Sequence, residues 1–173
     1  MPPYVHFLRL KVAFEELLPL RGVRSFFQKQ VLKVHHSPGR GFKLDIGGNI
    51  TESNLKTSGI IMASGRFLGG GLRADRHRIR ETIFDLPVTQ PSDRRLWHRR
   101  SFLDSRGHPV NRCGLEIDDD FRPLDKSGRP VYPNLFAAGS VLAHQDWMRM
   151  KCGSGLAIAT AYKAVKAFAL NIS

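Results

Sequence analysis

Two stretches of this chain have the residue types and spacing of a ligand site. They are Asn134-Leu135-Phe136-Ala137-Ala138-Gly139-Ser140 and Cys152-Gly153-Ser154-Gly155-Leu156-Ala157. The first reads as a short buried strand with a glycine exit, the second as a helix opened by a Gly-Ser-Gly turn. A helix start has unpaired backbone N–H groups and the positive end of the helix dipole, so it stabilises an anionic or electron-rich ligand. Glycine lets that ligand approach the backbone closely. A third stretch, Gly59-Ile60-Ile61-Met62-Ala63-Ser64-Gly65, also runs from apolar strand to glycine exit, and Gly69-Gly70-Gly71 follow it. A strand apolar on both faces fits a parallel sheet covered on two sides, where nucleotides commonly lie at the strand exits. Neither a complete G-x-G-x-x-G nor a G-x-x-x-x-G-K-[ST] loop is present.

Other reactive residues carry less. Cys152 stands at the expected helix start, where a thiol's pKa can fall, but no second cysteine or placed histidine accompanies it. Cys113 and Cys152 are too few for a disulfide framework and lack zinc-ligand spacing. His35 and His36 are adjacent on an expected strand and therefore face opposite sides, so we read them as surface or core histidines. Asp118-Asp119-Asp120 fails the calcium-loop register, having neither the glycine nor the closing glutamate, and reads as solvated turn acids. No metal ligands are assigned, and no acid or base for catalysis is identified.

The elements that must position these stretches follow from periodicity. After Pro2-Pro3, Val5, Leu8 and Val12, then Leu10, Phe14 and Leu17, recur at helical spacing. This predicts a helix packed on a sheet and ended by Pro19. Val31–His35 and Phe42–Ile46 predict a hairpin, with Gly47-Gly48-Asn49 turning into a third strand. One strand is expected over Leu55–Ala63. Short strands are expected at Ile83–Leu86, Ser101–Leu103, Cys113–Ile117 and Leu135–Ala138. The last helix should bury Ala157, Ala161, Ala164, Val165 and Phe168, with Lys163 and Lys166 turned away.

At 173 residues, 42% hydrophobic and 24% charged, the chain has the composition of an ordinary globular protein. No apolar run approaches the ~18 residues of a membrane span, and the N-terminus does not read as a secretory signal. A reducing, cytoplasmic setting is expected. The net charge is +12, and nine arginines are concentrated between residues 73 and 106, although Asp75, Glu81, Asp85, Asp93 and Asp104 interrupt the basic run. No nucleic-acid-binding motif accompanies it, so nucleic acid is not an expected partner.

The three blocks together, in this order, resemble the fumarate-reductase-like flavoproteins. Within them the chain is more closely similar to the family of B-type subunits of anaerobic glycerol-3-phosphate dehydrogenases. That nearer similarity rests on Pro2-Pro3 and the following helix, on Ile79-Arg80-Glu81 with Ile83-Phe84, and on Gly139 to Gly155 with Val141-Leu142, Asp146 and Arg149. The resemblance implies a mixed α/β fold: a portion of a Rossmann-like FAD-binding fold with a β-rich substrate-side insertion. Its divisions would be residues 1–72 (helix, hairpin and strand), 73–130 (arginine-rich, substrate-side) and 131–173 (strand, loop and helix against the flavin).

The resemblance also implies a flavin, FAD or FMN, held by Ala63, Ser64 and Gly65, by Gly139 and Ser140, and by Gly153, Ser154, Gly155 and Leu156. Arg149 becomes a candidate contact for a small anionic substrate. The implied reaction takes glycerol 3-phosphate to dihydroxyacetone phosphate and passes electrons to a quinone. The implied location is peripheral, on the inner face of the cell membrane, beside an iron–sulfur membrane-anchor subunit.

Two departures temper this. The family's N-terminal βαβ unit, with its glycine fingerprint, is missing from these residues. Met150 and Lys151 stand where acidic and small residues are expected before Cys152. The expectation is a fragment or split subunit that needs the N-terminal half of the flavoprotein or other dehydrogenase subunits, is inactive alone and does not retain flavin when isolated. The alternative is a non-catalytic assembly subunit that docks an acidic partner or anionic membrane through its basic stretch.

Overall fold

The structure, a computed structural model, describes residues 4–48 and 53–172. Pro2, Pro3 and Asn49, and the side chain of Val5, lie outside the described residues. In order come α1 (Tyr4–Leu20), β1 (Gln30–Ser37), β2 (Gly41–Gly47), β3 (Ser53–Thr57), β4 (Ile60–Met62), β5 (Leu72–Ala74), β6 (Ile79–Glu81), β7 (Leu135–Ala137), α2 (Trp147–Met150) and α3 (Gly153–Ile172). The fold is mixed α/β. Its strands form three small sheets: β1-β2-β3, β4-β7 and β5-β6.

The expected hairpin is present. β1 and β2 pair antiparallel with Val34 opposite Leu44 and His36 opposite Phe42, and β3 adds to the other edge of β2. Phe42, Leu44 and Ile46 alternate along β2 and are buried, so this strand faces the core with a period of two. His35 meets Asp45 at 3.3 Å on the outside, while the His36 ring lies 4.9 Å from Phe42 and 4.6 Å from Tyr132.

The single strand expected over Leu55–Ala63 is two strands in two sheets. β3 stays with the hairpin and β4 joins β7. The chain breaks at Ser58-Gly59, where the Thr57 hydroxyl donates to the Gly59 carbonyl at 2.8 Å. A Cβ on Gly59 would stand 2.6 Å from the Phe168 ring and 2.9 Å from the Asn134 carbonyl, so only glycine fits this approach.

β4 and β7 run parallel, with Ile60, Ile61 and Met62 opposite Leu135, Phe136 and Ala137. β7 is buried, as expected, and both of its faces are covered. Leu135 and Ala137 join Met62, Phe42, Leu72, Ile79, Leu115 and Leu142 in the larger core. Phe136 and Ala138 pack on the other side against Ala164 and Phe168 of α3. The Phe136 and Phe168 rings sit edge to face, 5.7 Å apart.

The face α3 buries matches the expected one at Ala161, Ala164 and Phe168, with Lys163 and Lys166 outside, and departs from it elsewhere. Thr160 and Ala164 are buried, and Leu156, Ala161, Ala167 and Phe168 are half-buried, whereas Ala157 and Val165 are exposed. The register is set by Phe168 fitting beside Gly59 and by Thr160 bonding the β7 exit, two contacts that hydrophobicity alone does not specify. The first helix departs further. α1 forms, with Pro19 inside its last turn, but Leu8, Phe14 and Leu17 are 61%, 53% and 57% exposed. It is not packed on a sheet.

Three further expected strands are absent. At Ile83–Leu86 the buried Glu81 carboxylate accepts the N–H groups of Ile83, Phe84 and Leu86, at 2.8, 2.7 and 3.4 Å, which removes donors a ladder would need. Ser101–Leu103 is a turn closed by Asp104 N–H donating to the Ser101 carbonyl at 3.2 Å, with Phe102 and Leu103 exposed. Residues 113–117 are extended but joined to their neighbours only by isolated bridges, Gly114 to Thr89, Leu115 to Leu142 and Ile117 to Pro123.

Candidate functional site

β4 and β7 are parallel, so their exits, Ala63-Ser64-Gly65 and Ala138-Gly139-Ser140, open at the same end of the sheet. That end is where open α/β sheets take ligands. A Cβ on Gly65 would lie 3.7 Å from the Ser140 hydroxyl, so the two blocks are neighbours. Gly65 and Gly139 both adopt left-handed backbone, with φ of 72° and 77°, a conformation glycine takes without steric cost.

Arg66 fastens the two exits together. The residue is 7% exposed, and its guanidinium donates through Nε to the Ser140 carbonyl at 2.5 Å, through Nη2 to the Leu142 carbonyl at 2.9 Å, and through Nη1 to the Asn111 carbonyl. Burial pulls its pKa below the ordinary value, opposed by the nearby Cys113 and Asp146. Nothing in the motif reading singled Arg66 out. The available signal was an arginine directly after a glycine exit, too short a side-chain argument to place its partners.

α3 brings the third block. At its C-terminal end Asn171 donates to the Pro133 carbonyl at 2.8 Å, beside the start of β7. Nearer its start, the Thr160 hydroxyl accepts the Gly139 N–H at 2.8 Å, at the exit of β7. The helix therefore runs antiparallel to both strands and its N-terminus extends past their exits. At 1.5 Å per residue, Gly153 stands roughly 10 Å beyond Thr160 along the helix axis. No Cβ contact within 4 Å would arise at Gly139 or Gly155, so both are open to approach. Cys152 caps the helix, its carbonyl accepting the Leu156 N–H at 2.8 Å.

Two expected residues have commitments of their own. The Gly139 N–H is taken by Thr160, leaving that glycine able to offer close approach but not a donor. The Arg149 guanidinium, although exposed, donates to the Asp104 carbonyl at 3.1 Å. The β4 exit is partly covered: a Cβ on Gly71 would run into the Gly65 carbonyl and the Ser64 hydroxyl. The Ser64 hydroxyl is buried without a hydrogen-bond partner. An orphaned hydroxyl, two open glycines and a dipole end at one edge of a parallel pair fit a flavin nucleotide chemically.

The basic stretch is paired within itself only in part: of its nine arginines, Arg80, Arg95, Arg99 and Arg106 form ion pairs. Arg80 meets Asp85 at 3.3 Å, Arg95 meets Asp93 at 2.6 Å, and Arg106 meets Asp104 at 2.9 Å. Bonds from the Arg95 side chain and N–H hold the Asp93 carboxyl down at about 2, and Arg106 holds Asp104 well below the usual carboxylate range. Asp118 accepts the Asp120 and Arg122 N–H groups at 3.0 and 2.8 Å and pairs with the Arg122 guanidinium at 2.7 Å, as turn acids do.

Two glycine exits at one end of a parallel pair are an arrangement that suits a nucleotide-type ligand, and comparison with known proteins gives the family of the chain. The model of the family described as FAD binding domain matches residues 23–156, and the chain belongs to that family. Its curated relatives are B-type subunits of anaerobic glycerol-3-phosphate dehydrogenase. That of Vibrio cholerae is 32% identical over 96% of this chain and 37% of its own length. A probable one of Halobacterium salinarum is 30% identical over 94% and 38%, and that of Actinobacillus succinogenes is 37% identical over 64% and 26%. The resemblance drawn from the three blocks is borne out. The chain thus spans 37% of the length of the Vibrio cholerae relative it matches. No solved structure matches.

Proposed function

We propose that this chain supplies the helix-end side of an FAD site in a dehydrogenase of the anaerobic glycerol-3-phosphate type. The observation that carries the reading is the parallel β4–β7 pair, with both glycine exits at one end and α3 fixed antiparallel through Thr160 and Gly139. When bound, the flavin would accept a hydride. The N-terminus of α3, at Gly153, Ser154, Gly155 and Leu156, would stabilise the negative charge that develops on reduction. Ala63, Ser64 and Gly65 would face the nucleotide side, Gly139 and Ser140 the second strand exit, and Arg149 an anionic substrate group.

On this reading the chain is part of a Rossmann-like fold divided at residues 1–72, 73–130 and 131–173. The pyrophosphate-binding βαβ unit would come from residues outside these 173. The reaction would convert glycerol 3-phosphate to dihydroxyacetone phosphate with electrons leaving to a quinone, next to an iron–sulfur anchor subunit at the inner membrane face. Among the described residues no helix is long and apolar enough to cross a membrane. The alternative of a basic docking subunit is not favoured, because the chain belongs to the FAD-binding family over residues 23–156.

A visible absorption spectrum tests the reading. The purified chain alone should retain little flavin; with FAD and the unmatched portion of the Vibrio cholerae relative it should turn yellow. No flavin signal in either state would sink the proposal. Gly153→Asp places a carboxylate against the helix start and should abolish the signal; full retention would remove the α3 turn from the site.

A further inference from the structure

The parallel pair of β4 and β7 is occupied along one edge and open along the other. Ile60 N–H donates to the Asn134 carbonyl at 3.0 Å, and the Met62 carbonyl accepts the Ala138 N–H at 2.8 Å. Successive residues of a strand turn their backbone groups to opposite sides, so Ile60 and Met62 face β7 and Ile61 faces away. Among the described residues neither the Ile61 N–H nor its carbonyl has a hydrogen-bond partner. The far edge of β7 differs, because there the Ala137 N–H donates to the Phe121 carbonyl at 2.9 Å.

Burial follows the same division. Leu135, Phe136 and Ala137 are buried, whereas Ile60 and Ile61 are only half-buried. An open edge is a template for another strand, and edges that stay in water carry lysine, proline or a bulge. The outer strands of the hairpin sheet have such guards: Lys33 and a register shift between Val31 and Lys33 on β1, and Lys56 on β3. β4 is Ile60-Ile61-Met62, with no charge, no proline and no shift in register. One face of the pair meets α3 and the other the larger core, the setting in which parallel strands have strands on both sides.

We propose that the open edge of β4 receives an apolar strand from the part of the flavoprotein that corresponds to the unmatched portion of the Vibrio cholerae relative. The proposal rests on the flavin reading above and names the contact that completes its sheet. Two observations choose this occupant. The relative is matched over 37% of its own length, so most of that protein lies outside the match and can supply the strand. The edge also leads into Ala63-Ser64-Gly65, so a strand laid parallel to β4 brings its own exit to the end where those of β4 and β7 open. A second copy pairing β4 with β4 about a twofold axis would run antiparallel and place the two sets of exits at opposite ends.

Amide hydrogen exchange reads the contact without flavin. In the isolated chain the Ile61 amide should exchange faster than that of Met62, at every protein concentration. Mixed with the unmatched portion of the Vibrio cholerae relative, in the absence of FAD, it should slow at least ~10-fold. Ile61→Pro removes the donor from the edge, whereas Ile61→Ala gives up similar packing and keeps the N–H. By sedimentation velocity, Ile61→Pro should bind that portion at least ~10-fold more weakly than Ile61→Ala. Equal affinity of the two variants, or an Ile61 amide still unprotected in a complex that forms, overturns the edge contact and leaves the flavin reading standing. Ile61 protection that rises with concentration in the isolated chain assigns the edge to a second copy and overturns the proposal. Absence of any complex overturns it together with the reading that residues outside these 173 complete the site.

Discussion

Arg66 holds the carbonyls of Ser140, Asn111 and Leu142 with one planar guanidinium, a geometry that a single ammonium cannot copy. Arg66→Met would leave those acceptors without a donor in a buried place. The expected cost is about 3 kcal/mol or more, read as a lower urea midpoint; Arg66→Lys should recover only part. Asp93 supports a smaller, pH-dependent effect. Its carboxyl is held down at about 2 by Arg95, against an unfolded value of roughly 3.9. A depressed carboxylate stabilises above the unfolded pKa and loses that contribution as pH falls through the folded one. The difference in urea midpoint between wild type and Asp93→Asn should therefore be constant from neutrality to pH ~5, shrink progressively below that and vanish only near pH ~1. A difference undiminished between pH ~5 and pH ~2 would assign the stabilisation to something other than ionised Asp93.

The docking of α3 decides where its N-terminus points. One end is set by the Thr160 hydroxyl at Gly139 and the other by Phe168 against Gly59 and Phe136. Thr160→Val removes the acceptor of the Gly139 N–H while keeping the shape, and should cost about 1 kcal/mol. Gly59→Ala drives a methyl into the Phe168 ring and should cost roughly 1–3 kcal/mol by overpacking. Hydrogen exchange distinguishes these from general destabilisation: amides of α3 should lose protection before those of β2. Equal loss in both elements would mean that α3 does not dock as a separate unit.

Much apolar surface lies on the outside of this chain. Leu8, Phe14 and Leu17 are exposed along α1, and Ile158, Tyr162 and Leu170 along the outer side of α3. Apolar surface on this scale marks contact with other protein. The isolated chain should associate as its concentration rises, visible by sedimentation equilibrium. The double substitution Leu8→Glu and Phe14→Glu should weaken that association without moving the urea midpoint, because α1 is not packed on a sheet. Unchanged association would transfer the contact to the α3 surface.

Short-range pattern was enough for the elements with strong local signals. Alternation in Phe42, Leu44 and Ile46 marked β2, the apolar run Leu135–Ala138 marked a short buried strand, and Gly153-Ser154-Gly155 marked the start of α3. The blocks that led to the flavin family are likewise local, since a strand exit and a helix start each need only a few residues. Partners distant along the chain decided the remainder. Glu81 took the N–H groups that would have made Ile83–Leu86 a strand, and Gly59 broke Leu55–Ala63 because Phe168 occupies the space of a side chain there. Thr160 turned α3 away from the face that Ala157 and Val165 would have buried. Arg66 depends on the backbone carbonyls of Ser140, Asn111 and Leu142, which stand far from it along the chain and come together only in the folded structure. Hydrophobic periodicity is a property of neighbours in the chain, whereas a hydrogen bond across many residues exists only once the chain has folded.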